Sequence, residues 1–133
     1  MASFRGILKV GAFTTDVNFF HLSIFQSMDS LGRPASSTRG GSITVEFNST
    51  SDGVVAEWMI NPSLRMDGSV TFLDINSKST LRTITFSNAY CVSLSEHADN
   101  SGGGNQMTTT IVISPEVVNA GSVKLDKKWP LTE

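Results

Sequence analysis

Residues 40–75 read GGSITVEFNSTSDGVVAEWMINPSLRMDGSVTFLDI, and their reading decides the fold. Ile43, Val45 and Phe47 alternate with Thr44, Glu46 and Asn48, the period of a strand that buries one face. Ser51 or Asp52 then stands where a helix cap belongs. Val55, Trp58 and Met59 fall on one face at helical spacing, and Asn61-Pro62 ends the segment, because a proline disfavours helical geometry in the residue before it. Asp67-Gly68 predicts a turn into a further strand over residues 69–75. One short helix set among strands, with no catalytic constellation beside it, describes a building block better than an enzyme.

Outward from this stretch the strand pattern continues. MASFRGILKV places Phe4, Leu8 and Val10 against Arg5, Ile7 and Lys9, a first strand rather than the unbroken apolar core of a signal peptide. A second strand over 14–26 is long enough to predict a bend or bulge inside it. It is apolar on both faces: Phe20, Leu22 and Ile24 share one side, while Phe19 and Phe25 share the other with His21 and Ser23. One face can enter a core, and the other needs separate cover, most simply from a neighbouring subunit. Residues 27–41, SMDSLGRPASSTRGG, read as a long loop. Paired strands are expected over 80–86 and 90–94, a flexible SGGGN loop over 101–105, a β-branched strand in MTTTIVIS and a hairpin around Asn119-Ala120-Gly121. About eight strands and one short α-helix predict a mainly β fold, a small antiparallel barrel, with 1–133 as a single domain.

Composition narrows the chemistry. Lys and Arg number 10 against 12 Asp and Glu, so no basic field invites nucleic acid. No run approaches the roughly 18 apolar residues of a membrane span, which predicts a soluble, cytoplasmic product without membrane insertion. Cys91, the one cysteine, sits in a strand run and reads as a small buried hydrophobe. The Asn48-Ser49-Thr50 sequon carries no weight without secretory targeting. Glu96, His97 and Asp99 are the one tight cluster of candidate ligands, and they read as a solvated strand end, since a metal or catalytic site needs defined geometry beyond adjacency. His21 has no evident partner, the 102–104 glycines lack the Lys-Ser or Lys-Thr of a phosphate cradle, and no serine occupies a G-x-S-x-G elbow. Expected are no enzymatic activity, no metal and no cofactor. Trp58 reads as a core anchor, and Trp129 as a side chain able to reach a neighbour.

In joint order the segments MASFRGILKV, DSLGRP, RGGSITVEFNST, EWMINPS, DGSVTF, TFSNAYCVSLSE, NQMTTTIVIS and KKWP resemble the haemolysin-coregulated protein (Hcp, TssD) family of type VI secretion tube proteins. The resemblance implies a β-barrel with a helix at its side, assembled as a homohexameric ring around a channel. It also implies that rings stack into a tube expelled by a contractile sheath, with a spike protein and effectors as further partners, and that export needs no signal peptide. Within that frame Phe19, Phe25 and Trp129 are candidate subunit contacts, and Asp29, Arg33 and Arg39 candidate ring-stacking contacts. The Ser/Thr faces of 80–87 and 107–113 suit a lumen that releases its cargo. The competing reading is a stand-alone ligand- or carbohydrate-binding barrel.

Overall fold

The computed structural model describes residues 4–25, 30–31, 39–50, 52–99 and 106–126. Nine strands and one helix follow in the order β1 (Phe4–Val10), β2 (Phe13–Val17), β3 (Phe19–Phe25), β4 (Arg39–Asn48), α1 (Val54–Ile60), β5 (Met66–Asp74), β6 (Thr80–Asp99), β7 (Gln106–Ser114), β8 (Val117–Ala120) and β9 (Val123–Asp126). The strands are hydrogen-bonded in the order β2-β1-β5-β6-β7-β4-β3, with β8 on β6 and β9 on β8. Every pairing is antiparallel. The order ends at β2 and β3, two halves of one ribbon bent at Asn18, whose amide donates to the Glu46 carbonyl at 2.7 Å. Among the described residues no ladder joins those two ends, so the sheet wraps as a barrel without closing.

Alternation builds the core. Leu8 and Val10, Ile43, Val45 and Phe47, Val70, Ile84 and Phe86, and Ile111 and Ile113 are all buried, while the residues between them face outward. Phe20 and Leu22 pack against this core as the alternation predicts. Ile24, expected beside them, is exposed, because the β3–β4 register shifts between Ser23 and Ile24.

The helix forms where it is expected. Gly53 is the N-cap, and the Asp52 carboxylate accepts the Val54 amide at 2.9 Å, satisfying a donor that the first turn leaves without a helical partner. Asn61 leaves the helix in extended geometry ahead of Pro62. Val55 and Trp58 are buried. Trp58 is the anchor: its ring stacks on Phe86 at 6.4 Å between centroids and 7° between planes, and its Nε1 donates to the Ala89 carbonyl at 3.0 Å. A large apolar side chain with its one polar atom satisfied is a strong lid.

Three expectations are corrected. Residues 80–86 and 90–94 do not pair with one another, because they belong to one 20-residue strand, β6, whose first part pairs with β5 and β8 and whose second pairs with β7. The change of partner falls at Asn88, which takes φ 50, a left-handed conformation that asparagine tolerates. Asp67 accepts the Asn88 amide at 2.9 Å, and Asn88 Nδ2 donates to Glu116 at 2.9 Å, so side chains hold the corner. Asp67-Gly68 is likewise no turn but part of β5, which runs from Met66 to Asp74, with a register shift between Met66 and Gly68. Glycine is needed there because a Cβ would lie 2.5 Å from the Lys9 carbonyl oxygen and 2.6 Å from the Phe86 ring. In the last hairpin the turn is Gly121-Ser122, not Asn119-Ala120-Gly121, with Ala120 opposite Val123 and Gly121 at φ 64.

Candidate functional site

Of the residues singled out as contacts, Phe19 is 53% exposed at the bend between β2 and β3. Phe25 and Arg39 face one another in the β3–β4 register, where the two strands' described pairing ends. Their side chains, together with Asp29, Arg33 and Trp129, lie outside the described residues.

Around Phe19 lies a cleft of about 440 Å³ whose walls include Phe4, Phe20, Phe72, Leu81 and Arg82. It follows from the strand phase. On β1 the side chains of Leu8 and Val10 fill the core, and two and four residues earlier the same face carries Gly6 and Phe4. Phe72 on β5 and Arg82 on β6 are in the same phase as Val70 and Ile84, and Gly6, Phe72 and Arg82 lie in one cross-strand row. The rings meet edge on, Phe4 with Phe72 at 5.7 Å and Phe20 with Phe72 at 5.1 Å. A side chain at Gly6 would press on this set, since a Cβ there comes 3.2 Å from the Phe72 ring. The inward face thus continues past the point where the core covers it, leaving Phe4 59% exposed, while Leu81, unpaired at the β5–β6 register shift, adds a 55% exposed side chain to the wall. Sequence reading placed Arg82 in phase with Ile84 and Phe86. A cation in the core phase at a strand's start was the available signal for this open end.

A second surface is hydroxyl-rich. Thr83 and Thr85 on β6 stand opposite Thr71 and Ser69 on β5, away from the core. On the other part of the sheet, Thr44, Thr108 and Thr110 join Ser93 and Ser95 through the β4–β7 and β7–β6 registers. Thr109, on the opposite face, is buried and shares a 2.7 Å hydrogen bond with Ser49.

The groups with chemical potential are placed otherwise. Glu96 and His97 are exposed and adjacent on β6, so their side chains leave opposite faces. Among the described residues no group of three His, Cys, Asp or Glu side chains is arranged to hold a metal ion. Cys91 is buried, its Sγ donates to the Ser93 carbonyl at 3.6 Å, and burial pushes its thiol up to about 11. It is a packed thiol rather than a nucleophile. Asp74 accepts the amides of Ser77 and Asn76, which hold its carboxyl below the usual value. That carboxylate shapes the β5–β6 turn.

The described residues thus form an antiparallel barrel with one packed helix, hydroxyl-rich outward faces and an apolar cleft at one end. The pattern of the family described as haemolysin-coregulated protein Hcp (TssD) matches residues 2–130, and the chain belongs to that family of type VI secretion tube proteins. Hcp1 from Flavobacterium johnsoniae is 34% identical, with a TM-score of 0.83 over 92% of this chain and 98% of that one. Hcp1 from Salmonella typhimurium shares the fold at 12% identity, with a TM-score of 0.71 over 89% and 85% of the two chains. A chain of the sheath-tube complex of an extracellular contractile injection system shares it at 18% identity and a TM-score of 0.63, over 90% and 89%. No curated protein matches the chain. Among the described residues no helix is long and apolar enough to cross a membrane.

Proposed function

We propose that the chain is the structural subunit of a type VI secretion inner tube, one domain over 1–133 that forms homohexameric rings and has no enzymatic activity of its own. Its rings stack into a tube that a contractile sheath drives outward behind a spike protein, with effectors in the lumen. The chain is made in the cytoplasm and leaves through that apparatus without a signal peptide. The observation that carries this reading is the family match over 2–130, supported by 34% identity to an Hcp1 whose fold it shares almost end to end.

Within it, Phe19, Phe25 and Trp129 contribute to the contact between subunits, and the loop with Asp29, Arg33 and Arg39 meets the next ring through charge-assisted contacts. The hydroxyl faces of β6 and β7 offer a lumen small polar groups, which hold cargo weakly enough to release it. Light scattering or native mass spectrometry should find six copies of the 14.3 kDa chain. A strict monomer at high concentration would overturn the reading and favour a stand-alone binding module, for which the 440 Å³ aromatic cleft is the supporting observation. In a hexamer, Arg33→Glu combined with Arg39→Glu should leave rings intact and abolish tubes; normal tubes in electron micrographs would remove the loop from the stacking contact.

A further inference from the structure

The first part of β6 is covered differently at its two ends. At one end it carries α1, which meets it at Phe86 and Ala89. At the other end it borders the aromatic cleft, with Arg82 in the wall. On the outer side of α1, Glu57 and Ile60 are both exposed and lie three residues apart, neighbours on one helical face. Ile60 is 78% exposed, more than any other large apolar side chain among the described residues. Neither the Glu57 carboxylate nor the Arg82 guanidinium has an ion-pair partner among the described residues, where Arg5 and Asp16 form the one salt bridge. One end of the molecule therefore presents an apolar knob beside an anion, and the other an apolar hollow beside a cation.

We propose that these two surfaces join successive copies of the chain head to tail, Ile60 of one copy entering the cleft of the next and Glu57 meeting Arg82. The inference rests on the tube-subunit reading, and it names the contact that reading needs. A ring built by rotation joins two different patches of each chain, which must complement one another in shape and sign. Here the apolar insertion supplies affinity, as buried anchors do at interfaces. The Glu57–Arg82 pair sets the register, because charges at a rim select orientation more than they add strength.

The test uses the full chain and its mass across a concentration series. Arg82→Glu and Glu57→Arg should each weaken association at least about tenfold, because each sets like charges against one another, and their combination should restore it to within about threefold of wild type. Ile60→Asp should also abolish association while leaving the circular-dichroism spectrum of the folded chain unchanged, since the side chain is exposed. An independent reading comes from a chain carrying Ile60→Cys and Leu81→Cys. Mild oxidation should link it into a ladder of disulfide-joined copies, with the buried Cys91 silent. If wild type assembles while all three single variants assemble equally well, this contact is wrong and the tube reading stands. Single variants that fail without rescue in the double variant, or an assembled cysteine variant that gives no ladder, also overturn the contact. A wild type that stays monomeric removes both the contact and the tube reading.

Discussion

The part of β6 under α1 and the part that reaches Phe72 carry inward side chains in the same phase, yet among the described residues only the first is covered. Under α1, Phe86 is 1% exposed because Trp58 lies flat on it and ties its own indole N–H to the Ala89 carbonyl. At the far end Phe4, Phe72 and Arg82 occupy the corresponding inward positions, with no helix above them among the described residues. Pointing inward is thus not the same as being buried. Burial needs a second layer, and among the described residues that layer is present at one end only.

Four substitutions or conditions sharpen the contrast. Trp58→Ala should have the largest effect, about 3–5 kcal/mol of stability, because it removes the lid and leaves a cavity over Phe86. A denaturation midpoint close to wild type would show that α1 is not what finishes this end. Gly68→Ala should cost about 1–3 kcal/mol, since the added Cβ meets the Lys9 carbonyl and the Phe86 ring beneath the same lid. An unchanged melting temperature would mean that the strands part without penalty.

The third concerns Cys91, two residues beyond the Ala89 carbonyl on which Trp58 docks. Burial raises its thiol from 9.0 to about 11, so the folded chain keeps a proton that the unfolded chain releases. Its contribution is whole below pH 9 and is lost as pH rises toward 11. Denaturant titrations across that window should show stability falling with pH, with a shallower slope in Cys91→Ala; equal slopes would place the thiol in solvent. The smallest effect belongs to the unfinished end. Leu81→Ser should change monomer stability by no more than about 0.5 kcal/mol, since the side chain is 55% exposed. A loss as large as that of Trp58→Ala would mean the cleft is core after all.

The elements that could be read from sequence were those with a strong local period. Ile43, Val45 and Phe47 announced β4, Thr109, Ile111 and Ile113 announced β7, and Val55 with Trp58 gave the helix and its buried face. What failed depended on partners distant in the chain. Asn88 resembled a connection because its left-handed conformation suits one, but Asp67 and Glu116 hold it inside a continuous strand. Gly68 resembled half of a turn because its real constraint, the Phe86 ring 18 positions later, becomes visible only when β5 and β6 are paired. The cleft was hidden for the same reason. Phe4, Phe72 and Arg82 are far apart in sequence and meet through two registers that no single strand specifies. Phe19, an aromatic residue on the second face of its strand, and Arg82, a cation in the core phase, were the local signals for this region.

The length of β6 also governs how the molecule can come apart. With Asn88 near its middle, the strand lends one part to β5 and β8 and the other to β7, and α1 rests across the junction at Ala89. Cutting the chain at that corner would divide β6 between two fragments and leave the partners β4 and β7, and β6 and β8, on opposite sides of the cut. The two parts of the barrel should therefore melt in one cooperative transition, and mechanical load applied to either would be felt by both through a single run of backbone.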